Sequence, residues 1–286
     1  MAIFWPGIIP CRACDCCFFH TFVAMEVEML QELIAISKDV GAYLLQEQSG
    51  IQSSDIVFKG RSNDMVSRAD KEAERRFVEA LSKLLPEAGF IAEEGTSKKV
   101  GEDYNWIIDP LDGTTNYLYG IPFFCTSVAL RQKEEIILGV VYDPRHDECF
   151  SAAKGRGAHL NGKAIRVSAQ EDFSKALVAM GFPYDHRGKM PQYLEILQEV
   201  NAASRGLRRP GAAALDMAYL ACGRFEAFYE YGLNPWDIAA GALLIEEAGG
   251  RVSDFFGNPS FLFAETILCS NGSLHPSLMD ILKVWD

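Results

Sequence analysis

Two aspartates, Asp109 and Asp112, follow the apolar run 106–108 and are three residues apart. The run is typical of a buried strand, and Pro110 and Gly113 predict a turn, so both carboxylates should emerge at the carboxyl end of that strand. Neighbouring carboxylates repel each other, and keeping both ionised at neutral pH requires cations between them. Because carboxylate oxygens favour hard ions, the pair predicts a Mg²⁺ site.

The residues that follow predict an anion site beside these acids. Gly113 lets the backbone approach a ligand closely, and Thr114, Thr115 and Asn116 are typical of a short helix start whose N–H groups point outward. A metal ion next to a bound anion indicates phosphoryl chemistry. The structural alternative is that the aspartates are turn residues and Thr114 is a helix cap. The complete string is much harder to obtain by chance than its parts, which favours the functional interpretation.

With these residues the sequence resembles the inositol monophosphatase family of Mg²⁺-dependent, lithium-sensitive sugar-phosphate phosphatases. The resemblance runs from Met25 to the C-terminus, and residues 236–241, Trp-Asp-Ile-Ala-Ala-Gly, are similar to a second signature of that family. It implies that two or three Mg²⁺ ions bind at five positions, namely Glu93, Asp109, the main-chain carbonyl of Leu111, Asp112 and Asp237.

The resemblance also implies roles for the remaining candidate residues. Asp70 would orient Thr114, and Thr114 and Glu93 would take a proton from the attacking water. Glu94 would support Glu93 from outside the ligand shell. Substrate contacts are implied at Gly113, Thr114, Thr115, Ala213 and Glu230, the last of which would accept hydrogen bonds from substrate hydroxyls.

Each of these residues also has a plainer structural explanation. Asp70 opens a predicted helix and is a typical cap. Glu93 and Glu94 follow a short apolar run and are typical of a solvated turn. Asp237 lies in a first helical turn, where an acid favours the helix dipole, and Ala213 belongs to a small-residue run that also permits close packing.

Composition limits the classes of function. The formal net charge of −12 and the pI near 5.0 argue against a general nucleic-acid binder, since no basic surplus neutralises a phosphate backbone. A length of 286 residues with 49% hydrophobic content predicts one large core in a compact unit of two lobes.

The N-terminal segment 1–24 differs from the rest of the chain. It has no basic region at its N-terminus, and prolines interrupt its apolar run. The segment is therefore predicted to be neither a signal peptide nor a membrane anchor. Met25 directly precedes the first helical pattern, so we expect 1–24 to be a disordered or non-native leader. Four of the eight cysteines crowd this segment, and a zinc module built on them is a weaker hypothesis. The other four are predicted to be small buried hydrophobic residues, which fits a reduced, cytoplasmic protein.

The pattern of elements predicts an α/β protein. Apolar periodicity indicates helices over 26–48, 190–204 and 212–221 and strands over 123–130, 136–142 and 224–230. Residues 25–165 are expected to form an α+β lobe that carries the acid pair, and 166–286 an α/β lobe. The family resemblance implies a layered αβαβα sandwich and a homodimer.

The expected reaction is Mg²⁺-dependent hydrolysis of a small phosphate monoester by metal-activated water, with no covalent intermediate. The polyol myo-inositol 1-phosphate is the favoured substrate. The same scaffold serves relatives that cleave 3′-phosphoadenosine 5′-phosphate or fructose-1,6-bisphosphate. A rival of another class is a regulatory factor that binds RNA-handling machinery, which some similar bacterial proteins do.

Overall fold

The computed structural model describes residues 15–50, 57–59, 64–66, 68–183 and 188–285. The predicted helix over 26–48 begins earlier, because α1 spans Asp15–Gln48. Residues 15–25 contain neither proline nor glycine, so nothing in them breaks the helix. Residues 1–14 lie outside the described residues, as do Cys11 and Cys14 of the hypothetical zinc module.

The larger of the two main sheets has seven strands in the order β3-β4-β5-β6-β7-β8-β9. Strand β3 runs parallel to β4, and every later neighbour is antiparallel. The bounds are β3 Gly89–Ala92, β4 Tyr104–Asp112, β5 Cys125–Gln132, β6 Glu135–Asp143, β7 Glu148–Ala153, β8 Ala158–Leu160 and β9 Lys163–Ile165. A separate antiparallel hairpin pairs β1 Val57–Lys59 with β2 Asp64–Val66.

The smaller sheet has five strands in the order β11-β10-β12-β14-β13. Strand β10 is parallel to both of its neighbours, whereas β14 is antiparallel to both of its own. The bounds are β10 Leu177–Met180, β11 Gly206–Arg208, β12 Ala227–Tyr231, β13 Arg251–Ser253 and β14 Thr266–Ser270. The carboxyl ends of β10 and β12 therefore open at the same edge.

Six further helices complete the described chain: α2 Arg68–Leu84, α3 Thr114–Leu118, α4 Met190–Ala203, α5 Ala213–Ala221, α6 Pro235–Glu247 and α7 His275–Leu282. Helix α2 buries a single stripe that includes Ala73, Phe77 and Leu81 at a spacing of four residues. Helix α6, by contrast, is buried continuously over 238–245. A helix that is apolar on all sides belongs between two layers.

Alternation along the strands shows how the layers stack. Trp106 and Ile108 of β4 pack in one cluster with α1 and α2, and Ile107 packs on the other side with α5 and α6. In the smaller sheet, Phe228 of β12 faces that same middle layer, while Tyr229 packs with α4 and α7. Side chains of a strand point alternately to opposite faces, so the order of layers is αβαβα, as predicted.

Two predicted strands begin later than expected. The strand predicted over 224–230 starts at Ala227, because the N–H groups of Arg224 and Phe225 donate to the carbonyl of Tyr219 and close a turn after α5. The strand predicted from residue 123 starts at Cys125, since the N–H of Phe123 donates to the carbonyl of Ile121 and is not available for pairing with another strand. Of the four separate cysteines, Cys222 is only partly buried, whereas the other three are buried as predicted.

No helix within the described ranges is both long enough and apolar enough to cross a membrane.

Candidate active site

A bulge in β4 places the two central aspartates on one face of the sheet. The strand does not end at residue 108 as predicted but continues through Pro110 to Asp112. Asp109 lies opposite Ser127 and Asp112 opposite Cys125, so three steps on β4 match two steps on β5. Residues three apart in a regular strand face opposite sides, and the extra residue of the bulge restores the same side. Pro110, which cannot donate to the ladder, occupies this irregular stretch.

The four predicted acidic ligands lie in one electrostatic cluster. Burial raises the pKa of Asp109 well above its usual range, and the carboxylates of Glu93, Asp112 and Asp237 raise it further. Asp109 is 2% exposed. Burial also raises the pKa of Asp112 to about 6, against the opposing effect of N–H groups at the start of α5. Four acids from three distant parts of the sequence therefore destabilise one another when ionised.

Backbone N–H groups donate hydrogen bonds to three of these carboxylates. Asp109 Oδ1 accepts from the N–H of Leu111 at 2.9 Å. Asp112 Oδ2 accepts from the N–H of Ala214 at 2.7 Å, so this acid also satisfies the N-terminus of α5. Asp237 Oδ2 accepts from the N–H of Asn234 at 2.6 Å, at the N-terminus of α6. The cluster is fixed at helix and strand ends.

The donor set fits divalent cations by its chemistry. It offers oxygen ligands only, carries several formal negative charges, and is buried where repulsion is weakly screened. Within the described part of the chain, no three His, Cys, Asp or Glu side chains already surround a common point that can hold an ion. The four carboxylates are close enough for the charges of the other three to act on Asp109.

A buried glutamate of α2 anchors the turn that carries Glu93. Glu74 accepts hydrogen bonds from the N–H of Glu94, the N–H of Thr96 and the hydroxyl of Thr96, each at 2.6 Å. The N–H of Glu93 donates to the carbonyl of Ile108, which continues the pairing of β3 with β4. Glu74 therefore holds the backbone of the turn that carries Glu93 and Glu94, and support of Glu93 by Glu94 stays a prediction.

Gly113 supplies the backbone conformation that ends β4 and begins α3. Its φ of 86° lies in the left-handed region, and a Cβ there would meet the carbonyl oxygen of Phe123 at 3.0 Å and the Cβ of Ala212 at 3.1 Å. Asn116 then joins this loop to the second lobe, because its side-chain amide donates to the carbonyls of Phe123 and Pro210 at 2.7 and 2.9 Å. The loop after Gly113 and the segment that leads into α5 are therefore held together.

The positions of Asp70 and Thr114 differ in part from those predicted. Asp70 is the third residue of α2, which begins at Arg68, so it does not open the helix as predicted. Asp70 is 3% exposed; burial raises the pKa of Tyr117 in α3 and the charge of Asp70 raises it further, which places Asp70 near α3. The Thr114 hydroxyl donates to the carbonyl of Leu111 at 3.0 Å. Orientation of Thr114 by Asp70 stays a prediction.

A cleft of about 140 Å³ opens beside the acid cluster. Its described lining includes three of the four acids, Glu93, Asp112 and Asp237, together with both predicted substrate contacts of the second lobe, Ala213 and Glu230. Burial raises the pKa of Glu230 to about 8, the charge of Asp112 adds to this, and the guanidinium of Arg209 opposes it. Surface grooves of about 600 and 660 Å³ lie elsewhere and contain none of the four acids.

Sequence reasoning missed three charged residues of this region. Asp216 lines the cleft from α5, is 2% exposed and leaves Oδ1 without a hydrogen-bond partner among the described residues. Arg209 is the one Lys, Arg or His among the described residues of the lining. Glu74 is fully buried. The sequence signal for Asp216 was a lone acid in the apolar helix α5, and the signal for Glu74 was an acid four residues after Asp70. For Arg209 the sequence offered only the pair Arg208-Arg209.

Layers and site together define an α/β protein with a carboxylate-lined cleft at the ends of its strands. The sequence model of the inositol monophosphatase family matches residues 25–284. The chain is 42% identical over 257 residues to a protein of Rhizobium meliloti named inositol-1-monophosphatase, covering 89% of this chain and 96% of that protein. It is also 42% identical over 227 residues to a Pseudomonas aeruginosa protein named Nus factor SuhB, covering 78% and 84% respectively.

The structural comparison agrees with these similarities. The crystal structure of extragenic suppressor protein suhB from Bartonella henselae superposes with a TM-score of 0.83 at 39% identity, over 88% of this chain and 97% of that chain. The chain therefore belongs to the inositol monophosphatase family. It is accordingly a phosphatase, a hydrolase of phosphate esters, in a generally metal-dependent family.

Proposed function

We propose that the protein hydrolyses a small phosphate monoester with Mg²⁺, and that myo-inositol 1-phosphate is its substrate. The observation that carries this proposal is the cluster of two buried acids, Asp109 and Asp112, with two partly buried ones, Glu93 and Asp237, beside the left-handed Gly113. Burial raises the pKa values of Asp109 and Asp237, the charges of Asp112 and Glu93 raise them further, and bound cations would stabilise the ionised carboxylates. A phosphate ester held by divalent ions provides the matching chemistry.

The carboxylates of Glu93, Asp109, Asp112 and Asp237 and the carbonyl of Leu111 are the groups we assign to two or three Mg²⁺ ions. When bound, such ions lower the pKa of a coordinated water and neutralise charge on the phosphate and the leaving oxygen. Three of these carboxylates accept hydrogen bonds from backbone N–H groups, which help to hold them in the cluster.

The protein's own groups then move the proton and position the substrate. The attacking water would give its proton either to Glu93 or to the hydroxyl of Thr114, which would pass its own proton to Asp70, and the leaving oxygen would take up a proton from solvent. The N–H groups of Gly113, Thr114 and Thr115 donate to the phosphoryl oxygens, and each such donor lowers the barrier by about 3 kcal/mol. In the second lobe, Glu230 accepts a hydrogen bond from a substrate hydroxyl and Ala213 lines the approach.

Two observations favour inositol 1-phosphate over other small phosphates: the acids that line the cleft and the name of a similar protein. The acids Glu230 and Asp216 line the part of the cleft formed by the second lobe, and carboxylates there match a hydroxyl-rich leaving group. The relative from Rhizobium meliloti bears the name of this activity. The alternative substrates are 3′-phosphoadenosine 5′-phosphate and fructose-1,6-bisphosphate.

A panel assay tests this proposal. The purified protein, stripped with a chelator, is supplied with each of the three phosphates in the presence and absence of Mg²⁺, and released phosphate is measured. We expect Mg²⁺-dependent turnover with the highest kcat/KM for inositol 1-phosphate. Turnover that is unchanged in excess chelator would refute the metal assignment, and a higher kcat/KM for another phosphate would refute the substrate assignment.

A second candidate function is a regulatory one in RNA-handling machinery, which the relatives named Nus factor SuhB favour. A pull-down of transcription components with the wild-type protein, set beside Asp109→Asn, tests it. Retention of partners by both proteins would support a binding role that does not depend on catalysis. We further propose a cytoplasmic homodimer, which sedimentation velocity of the purified protein tests for its oligomeric state.

A further inference from the structure

The carboxylate of Glu230 is packed directly against the backbone of Gly181. Gly181 follows β10, and the parallel register of β10 and β12 pairs Met180 with Tyr229. The next position in the same register sets Gly181 against Glu230. A Cβ on Gly181 would lie well under 3.0 Å from the carboxyl carbon and both carboxyl oxygens of Glu230. Only glycine therefore leaves room for this acid in its observed position.

The backbone at Gly181 is held in place from the outer layer. The hydroxyl of Tyr193 in α4 donates to the carbonyl of Gly181 at 2.7 Å and lies 3.3 Å from the carbonyl of Tyr229. Tyr193 is fully buried and packs edge-on against Tyr231, with ring centroids 4.8 Å apart. A side chain added at position 181 would consequently displace the flexible end of Glu230 rather than the backbone.

We propose that Gly181 is a positioning residue that sets the hydroxyl-binding carboxylate of Glu230, and thereby the preference for polyol phosphates. This inference rests on the proposed function, because it assigns Glu230 to the leaving group. Glu230 is 6% exposed and lines the cleft, so its carboxylate has little space for a second position that still faces the substrate. If the carboxylate of Glu230 is displaced, a substrate with hydroxyls loses a hydrogen bond. Binding of a substrate without hydroxyls is unaffected.

The test compares two substrates in Gly181→Ala. Inositol 1-phosphate presents hydroxyls to Glu230, whereas p-nitrophenyl phosphate presents none. We expect the ratio of kcat/KM for the first substrate to that for the second to fall by about 10- to 100-fold, mainly through KM, as for a buried hydroxyl left without its hydrogen-bond partner. The matched control is Gly41→Ala in α1, where a Cβ would meet the ring of Tyr142 at 2.5 Å and neither residue lines the cleft. The control should leave the ratio unchanged.

A double-variant cycle separates positioning from general damage. In Glu230→Ala the carboxylate and the clash are both gone, so Gly181→Ala added to it should change the substrate ratio no further. If Gly181→Ala alone fails to fold, the double variant must fold and match Glu230→Ala. Additive losses in the double variant, an unfolded double variant, or equal losses for both substrates in Gly181→Ala would each overturn the role of Gly181.

Failure of the proposed function has a different signature. Wild-type protein that releases phosphate from neither substrate with Mg²⁺ would refute the phosphatase assignment, and the polyol preference with it. Wild-type turnover combined with an unchanged substrate ratio in Gly181→Ala would refute the positioning role alone.

Discussion

Replacement of Asp112 by asparagine should have opposite effects on the metal-free and the Mg²⁺-loaded protein. Asp112 is 9% exposed, and its pKa is raised from 3.8 to about 6, chiefly by burial. Between these two pKa values the folded state binds more protons than the unfolded state, so the free energy of unfolding falls as pH rises. A difference of about 2 pKa units at about 1.4 kcal/mol each costs the metal-free protein about 3 kcal/mol at pH 7.

Asparagine carries no charge at any of these pH values and still offers an oxygen to the N–H of Ala214. In chelator, the unfolding free energy of Asp112→Asn relative to wild type should therefore increase by about 3 kcal/mol between pH 3.5 and pH 7. With saturating Mg²⁺ the order should reverse, because only wild type gains the full binding free energy of the ions.

Urea unfolding followed by circular dichroism at each pH measures both quantities. The control is Asp280→Asn, an exposed acid whose ion pair with Lys283 lies at the surface, and its difference from wild type should stay within about 0.5 kcal/mol. A pH-independent difference for Asp112→Asn in chelator would refute the raised pKa of Asp112 in the metal-free protein. A Mg²⁺-induced stabilisation equal to that of wild type would refute the role of Asp112 as a ligand.

Three further predictions concern other residues. Asp109→Asn should remove most phosphatase activity, and unchanged turnover at saturating Mg²⁺ would contradict its assignment as a ligand. Glu74→Gln, which disturbs three hydrogen bonds to the turn after Glu93, should raise the Mg²⁺ concentration for half-maximal activity about 10-fold or more, and an unaltered Mg²⁺ titration would count against it. His275 is fully buried between the hydroxyls of Ser253 and Ser270, and burial lowers its pKa to about 4. Because the unfolded state takes up the proton first, up to about 3 kcal/mol of stability should be lost as pH falls from 6.5 to 4. If unfolding measurements on His275→Gln show the same loss of stability over this pH range, the loss does not come from His275.

The candidate metal ligands could be singled out in the sequence because they follow short apolar runs. Asp109, Asp112 and Glu93 each stand at such a position, and local pattern is enough to recognise it. The common face of Asp109 and Asp112 was not predictable in this way. It results from a bulge that depends on pairing with β5, a contact with a segment more than ten residues away.

Contacts between distant segments account for what the sequence did not predict. Asp112 accepts from Ala214, Glu74 holds the turn at Glu94, and Gly181 lies against Glu230, and each pair is separated by at least 20 residues. Residue type signals a capacity for such contacts, but the partner is set by the order of strands in each sheet. The layers themselves could be expected, since apolar periodicity and family resemblance agree.

We propose that Glu93, Asp109, Asp112 and Asp237 together hold divalent ions beside the cleft. Crystals of the protein grown with Mn²⁺ and inorganic phosphate, measured at a wavelength where manganese scatters anomalously, test it most directly. We expect two or three anomalous peaks bounded by these four carboxylates and the carbonyl of Leu111. Anomalous peaks only at other residues, in a protein that still hydrolyses inositol 1-phosphate with Mn²⁺, would contradict the claim.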